Sequence, residues 1–221
     1  SLVVSTDDAA AVALGWLIAR VQPLGALAAL VALWLPNGAA GMALAAVWCF
    51  VTVAVALLAL ARLRGRGALP LEELSIDAGL AYLCVGAVWL VIARGGFRPL
   101  GFEPMIVQLT AVHFHYAGFF APLYVGLAGR LVAAGGVERA CYRAAAVGVI
   151  VGPPLVAIGI TVSPLLELVS AVVLASSVTT LAALMALSVV ARVEHPLAKI
   201  GLGVSALSVT LAGRPQKSSQ S

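Results

Sequence analysis

Long apolar segments are the feature of this sequence that most constrains its fold. Of the 221 residues, 62% are hydrophobic and only 10% are charged, whereas a soluble domain carries about 25% charged residues. A helix needs about 20 apolar residues to cross a bilayer. The apolar segments reach that length without the alternating pattern of a membrane barrel strand. The sequence therefore predicts an all-α integral membrane protein, because a helix satisfies its own backbone hydrogen bonds in lipid.

The apolar segments predict a compact bundle of about seven transmembrane helices and a short N-terminal helix. The short helix is predicted over residues 7 to 19, because Arg20, Gln22 and Pro23 interrupt the apolar stretch that follows. Residues 1 to 213 are predicted to form a single transmembrane domain, and residues 214 to 221 a polar C-terminal tail. The predicted spans are 23 to 35, 39 to 61, 72 to 93, 104 to 128, 143 to 162, 164 to 190 and 196 to 213.

Positive charge predicts the orientation of the bundle, because arginine and lysine in short loops favour the cytoplasmic side. The basic loops at 62 to 66, 130 to 143 and 192 to 199 fall on one side of the predicted bundle, which we assign to the cytoplasm. Arg94 and Arg98 lie in a loop on the opposite side and do not follow this pattern. The net charge of +4 is thus explained by topology, and no nucleic-acid partner is expected.

Three carboxylates open the predicted span that begins near residue 72. Glu72 and Glu73 lie in the first helical turn, where an acid also favours the positive end of the helix dipole. Asp77 lies one turn deeper, on the same face as Glu73. An acid inside a membrane span usually faces a cavity. Asp77 is therefore predicted to be a functional acid, with Glu73 as the alternative.

His113 and His115 lie inside the next span. Two residues that are two positions apart point in nearly opposite directions on a helix, so both imidazoles are not expected to bind one small ligand. A metal pair would favour a spacing of four. We expect one histidine to share a cavity with Asp77, and the other to bind a backbone carbonyl. The candidate substrate-binding residues are Tyr82, Trp89, Gln108, Phe114, Tyr116 and Phe119.

Three stretches of the sequence carry a family resemblance: EELSIDAGLAYLCVGAVWLV, LGFEP and LTAVHFHYAGFFAPLYVGLAGR, all between residues 72 and 130. They resemble the YndJ-like group of bacterial membrane proteins. They are also similar to the small membrane-bound terpene cyclases of actinobacteria, which act on prenylated indole or diketopiperazine substrates. The DxDD motif of the large soluble cyclases does not occur in the sequence. The resemblance implies a multi-pass protein of the bacterial inner (plasma) membrane.

The favoured functional hypothesis is a membrane-bound terpene cyclase that needs no cofactor and no metal. A carboxyl group buried in hydrocarbon keeps its proton and can act as a general acid. Asp77 or Glu73 would protonate an alkene or epoxide of a lipophilic isoprenoid substrate taken from membrane lipid, and His115 or His113 would orient that acid. The alternatives are a proton-coupled transporter or channel, a membrane metallohydrolase that adds His195 to the ligand set, and an assembly protein.

Overall fold

The computed structural model describes residues 9 to 66, 69 to 132 and 135 to 189. Every regular element in these ranges is helical, which confirms the all-α prediction. The α-helices are α1 (Ala9–Trp34), α2 (Ala39–Gly65), α3 (Leu71–Gly95), α4 (Pro104–His113), α5 (Ala121–Gly129), α6 (Gly136–Val162) and α7 (Pro164–Leu184). Two π-helical segments, Phe114–Phe120 and Met185–Val189, follow α4 and α7, and a short 3-10 helix, Pro99–Gly101, precedes α4.

Five helical stretches in the described ranges are long and apolar enough to cross a membrane. They are Val12–Trp34, Ala39–Gly65, Leu71–Gly95, Gly136–Val162 and Pro164–Leu187. The predicted count of seven is not confirmed. The predicted span at 104 to 128 is assembled from α4, a π-helical segment and α5, and the predicted span at 196 to 213 lies outside the described residues.

The prediction of a short helix over 7 to 19, separate from a span over 23 to 35, is wrong. Helix α1 runs from Ala9 to Trp34 with Pro23 inside it. Proline removes one backbone donor, and membrane helices tolerate this loss where the freed carbonyl finds another partner. The ring of Pro23 lies on an exposed face of α1, so it does not disturb the packing against α2.

The chain divides into two compact units, residues 1 to 124 and residues 125 to 221. In the first unit, α1, α2 and α3 pack around a core that includes Trp48, Val55 and Leu83. In the second unit, α6 and α7 approach closely where glycines remove side-chain bulk, as at Gly148 beside Ser177. The single domain over 1 to 213 stays a prediction.

Candidate functional site

A π-helical segment, Phe114–Phe120, interrupts the helix that contains both histidines; we call it the π segment. The N–H of Ala121 donates to the carbonyl of Tyr116, five residues earlier. Pro122 follows directly and has no N–H with which to continue an α-helical ladder. The sequence analysis predicted a regular helix here, and Pro122 was the signal for the irregularity. Such π-helical turns occur frequently at functional sites.

Two glycines of α3 allow the π segment to lie against that helix. A Cβ atom at Gly79 would lie 2.9 Å from the carbonyl oxygen of Phe119. A Cβ atom at Gly86 would lie 2.6 Å from Nδ1 of His115 and 3.1 Å from its backbone nitrogen. Real Cβ atoms essentially never come within 3.0 Å of another atom, so a larger residue at either position requires the backbone of the π segment or the imidazole of His115 to shift. The glycines thus fix the position of His115 relative to α3.

His115 is held by two hydrogen bonds that define its protonation state. Its Nε2 accepts from the indole Nε1 of Trp48 at 2.9 Å, and its Nδ1 lies 2.8 Å from the carbonyl oxygen of Ala111. A carbonyl only accepts and an indole N–H only donates. His115 is therefore a neutral imidazole with its proton on Nδ1. The two aromatic rings are stacked, with centroids 6.3 Å apart.

The first unit contains an apolar cavity of about 640 Å³, within the usual size range of small-molecule sites. Its walls come from α1, α2, α3, α4 and the π segment. No residue with a formal charge is among its described lining residues. Tyr116 and Phe120, which line it, are 66% and 56% exposed. The cavity therefore reaches the outer surface of the first unit, where a membrane-spanning protein meets lipid. The polar or aromatic lining residues are Gln22, Trp48, Gln108, His115, Tyr116, Phe119 and Phe120.

Asp77 and Glu73 lie in an ion cluster with two arginines at the end of α2. Arg62 Nε donates to Asp77 Oδ1 at 2.8 Å, and Arg62 Nη2 donates to Glu73 Oε2 at 3.0 Å. Arg66 Nη1 lies 2.9 Å from Asp77 Oδ2. The side chains of Arg62 and Asp77 are only 9% and 4% exposed. Two guanidinium groups thus contact one carboxyl group, in charge-assisted contacts that are stronger than hydrogen bonds between neutral groups.

The helix dipoles favour this ion cluster. The two arginines lie at the carboxyl end of α2, where cations are stabilised, and the two acids lie at the amino end of α3, where anions are stabilised. The formal charges of the four side chains cancel. The cluster joins α2 to α3 across the intervening loop, so its geometry has a clear structural role.

The structure brings only part of the predicted site together. Of the ten predicted residues, four line the cavity: Gln108, His115, Tyr116 and Phe119. The other six are not among its described lining residues: Glu73, Asp77, Tyr82, Trp89, His113 and Phe114. The structure therefore does not bring Asp77 and a histidine to this cavity.

The six residues outside the cavity have other neighbours. His113 and Tyr82 pack edge-on against Phe114, with centroids 5.5 Å and 5.8 Å away, and Trp89 packs against Phe102 at 6.4 Å. In the described ranges, no three His, Cys, Asp or Glu side chains are grouped so that they could hold a metal ion. His195 lies outside those ranges.

Sequence reasoning missed Trp48 and the contribution of α1. Trp48 lies in an apolar stretch with no polar neighbour in the sequence, so nothing marks it as the partner of His115. Gln22 was interpreted only as an interruption of an apolar segment, although it lines the cavity. The position of Gln22 as a polar residue on a mostly apolar helix could have indicated that it faces a cavity.

Comparisons with known proteins identify the family of this chain. A family model described as YndJ-like protein matches residues 1 to 213. The uncharacterized membrane protein YndJ of Bacillus subtilis (strain 168) is 35% identical over 151 residues, which are 68% of this chain and 26% of that relative. The chain thus spans about a quarter of the length of this curated relative. No solved structure matches it. By the extent of the family match, this membrane protein belongs to the YndJ-like family.

Proposed function

We propose that the chain takes a lipophilic isoprenoid substrate from the bilayer into the cavity of the first unit and cyclises it there. The observation that carries the proposal is the cavity itself: an apolar space without charged lining residues in the described ranges, reaching a surface that faces lipid. Such a space suits an apolar chain and disfavours the passage of ions.

Shape and aromatic contacts would select the substrate. Transfer from lipid into an apolar cavity gains little from the hydrophobic effect, because lipid tails are as apolar as the cavity wall. The selectivity must then come from packing against Trp48, Phe119 and Phe120. The amide of Gln108 can orient a polar group of the substrate, because it is the flexible polar side chain on the α4 wall.

The resemblance to small membrane-bound terpene cyclases supports a cyclisation reaction. A proton passes from a carboxylic acid to an alkene carbon, which breaks the acid's O–H bond and forms a C–H bond. A second alkene of the same chain attacks the resulting cation and closes a ring. The new cation then returns a proton to the carboxylate, which forms the final double bond and regenerates the acid. The faces of Trp48, Tyr116 and Phe119 would stabilise the cation, and the apolar wall would exclude water that would otherwise capture it.

The acid of this proposal is a carboxyl group of the ion cluster. Asp77 is the proposed acid, with Glu73 as the alternative. His115 can orient it only after giving up its hydrogen bond with Trp48 or Ala111, and His113 is the alternative orienting residue. In the ion cluster Asp77 contacts both Arg62 and Arg66. An acid role therefore requires a state in which Asp77 has separated from both arginines, carries a proton and reaches the substrate in the cavity, which it does not line here.

Substrate binding is tested by filling the cavity. Ala29 lines the cavity on α1, so Ala29→Phe is expected to reduce labelling by a photoreactive farnesyl probe by about tenfold in lipid nanodiscs, because the ring occupies the space of the chain. Leu27→Phe, on the exposed face of the same helix, is the matched control and should label like wild type. Equal labelling of Ala29→Phe and wild type contradicts the binding site.

The reaction is tested separately with a farnesylated indole, whose cyclised product has the same mass and a different chromatographic retention. Glu73→Gln and Asp77→Asn are compared with Glu103→Gln, an exposed acid on the loop before α4. Loss of product in one of the first two variants, at equal amounts of folded protein, identifies the acid. If both form product at the wild-type rate, initiation by these acids is wrong; if the wild-type protein binds the substrate without converting it, the chain is a binding protein.

A further inference from the structure

Gln22 is a polar side chain near the middle of an apolar helix. The membrane-crossing stretch of α1 runs from Val12 to Trp34 over 23 residues, and Gln22 lies next to its central residue, Pro23. The side chain of Gln22 lines the cavity and forms no hydrogen bond with any other described residue. A polar group in hydrocarbon is costly unless it is hydrogen-bonded. A partner for this amide is therefore expected inside the cavity.

Pro23 adds a second polar atom to the same wall. Proline has no N–H, so the carbonyl oxygen of Ala19, four residues earlier, lacks its usual partner in the helix. Ala19 also lines the cavity, and it lies one turn from Gln22 on the same face of α1. A freed carbonyl inside a membrane needs another donor, because no water is available there. The α1 wall thus offers a carbonyl acceptor and an amide at one place.

A hydroxyl group can satisfy both members of this pair at once. Its O–H donates to the carbonyl oxygen of Ala19, and its oxygen accepts from the amide nitrogen of Gln22. An ether or a ketone only accepts, so it leaves the carbonyl without a donor. A charged group is disfavoured, because no residue with a formal charge is among the described lining residues to balance it. A hydroxyl is therefore the simplest group that fits.

The pair lies deeper in the membrane than Gln108, the amide on the α4 wall. Gln108 lies four residues after Pro104, where α4 begins, which is about 6 Å at the helical rise. Gln22 lies 12 residues before Trp34, where α1 ends, which is about 18 Å. Both helix ends lie on one side of the first unit, because the ends of α1 and α3 are in contact and α4 follows α3. A ligand that reaches both amides thus carries its hydroxyl about 12 Å deeper than its head group.

We infer that the cavity binds an isoprenoid with a hydroxyl group at the far end of its chain, and that this hydroxyl binds Gln22 and the carbonyl of Ala19. The inference rests on the proposed function of the cavity and adds the chemical class of its ligand. It makes the ligand an alcohol that is oxygenated on the chain, and not a plain hydrocarbon chain. It also makes Gln22 a specificity-determining residue.

The experiment uses farnesyl methyl ether and its analogue with a hydroxyl group on a terminal methyl carbon. Both compete with the photoreactive farnesyl probe for the full chain in nanodiscs of zwitterionic lipid. Wild-type protein is expected to bind the hydroxylated ether about tenfold more tightly, within the range of two neutral hydrogen bonds. Equal binding of the two ethers overturns the inference and leaves the cavity proposal intact. Competition by neither ether contradicts the cavity proposal itself.

Two variants test the two members of the pair. Gln22→Leu removes the amide, and Pro23→Ala restores an N–H for the Ala19 carbonyl within the helix. Each variant is expected to reduce the preference to about threefold, because one of two hydrogen bonds remains, and the double variant should remove it. Gln108→Leu is the matched control: it removes the shallower amide of the same cavity and should keep the tenfold ratio between the two ethers.

The variants also separate ligand binding from helix packing. A preference that stays tenfold in both Gln22→Leu and Pro23→Ala contradicts the pair as the hydroxyl site. If wild-type protein binds both ethers equally and Gln22→Leu lowers the thermal stability of the ligand-free protein, Gln22 binds a neighbouring helix and the inference is wrong. If Gln22→Leu does not fold, Pro23→Ala tests the site by itself, because alanine favours the helix.

Discussion

At the residue scale, the structure shows that Asp77 belongs to an ion cluster and is not an isolated acid. The sequence correctly placed Asp77 and Glu73 on one face of a helix, because that relation depends only on the helical repeat. It did not reveal that Arg62 and Arg66 contact both acids, because such contacts depend on how two helices approach each other. The arginines were interpreted only as orienting charges. When one helix ends in arginines and the next begins with acids, the two sets are better interpreted as possible ion-pair partners.

The ion cluster makes Asp77 a stability determinant. Asp77→Asn is expected to reduce the free energy of unfolding by about 3–5 kcal/mol, because the buried Arg62 loses its ion pair with Asp77 and only Glu73 remains to balance two arginines. Chemical or thermal unfolding in detergent measures the effect. Glu103→Gln breaks an exposed pair with Arg98 and should cost at most about 1 kcal/mol.

Reversal of the charges provides a stricter test of the same contact. Arg62→Asp combined with Asp77→Arg is expected to recover part of the stability that either single substitution loses, because opposite charges are again adjacent. Additive losses in the double variant would contradict a direct interaction.

At the element scale, the sequence predicted where the helical region from α4 to α5 begins and ends, but it did not predict the π segment inside it. The predicted span at 104 to 128 agrees with helices that run from Pro104 to Gly129, because length and hydropathy determine a span. The π segment depends on Pro122 and on close packing against Gly79 and Gly86, and only the first of these is visible as a local signal. In helix α1 the sequence predicted an irregularity that is absent: Pro23 was expected to break the helix, and the helix continues through it.

Close packing of α3 on the π segment predicts that Gly86 tolerates no side chain. Gly86→Ala is expected to cost about 1–3 kcal/mol of unfolding free energy, because the new methyl group overlaps His115. Gly15→Ala on α1 is the control; a Cβ there meets no atom within 4 Å, so it should be neutral or stabilising by up to about 1 kcal/mol. His115→Ala should relieve part of the clash, and equal stability of Gly86→Ala and wild type would show that the helices are not held this closely.

At the scale of the whole molecule, composition predicted the helical membrane fold and local sequence suggested the family, but the cavity could not be predicted. Its wall combines Gln22, Trp48, Leu83 and His115 from four different parts of the chain. Their proximity is a property of helix packing, which a single sequence does not encode in any local pattern. The burial of Arg94 could not be predicted either. From the sequence it was only a positive charge on the side opposite the basic loops.

The orientation in the membrane is predicted from the arginines at the α2–α3 loop. With Cys49, Cys84 and Cys141 replaced by serine, Leu69→Cys should react only with a reagent that reaches the cytoplasm, because Arg62, Arg64 and Arg66 hold that end inside. Asn37→Cys, in the exposed turn between α1 and α2, should react from outside in intact cells. The opposite pattern of labelling would reverse the assigned topology.

The arginines at the end of α2 are expected to have two successive roles during synthesis. Helix α2 leaves the ribosome before α3, so Arg62 and Arg66 are still without Glu73 and Asp77 when α2 reaches the membrane. At that moment their positive charge favours the cytoplasmic side of the membrane. The acids that follow change this choice little, because acidic residues contribute little to orientation. When α3 arrives, the charges cancel and the same arginines bind the finished hairpin together. A chain that loses the acids can therefore insert in the correct direction and still fail to close, so its defect belongs to assembly and not to targeting.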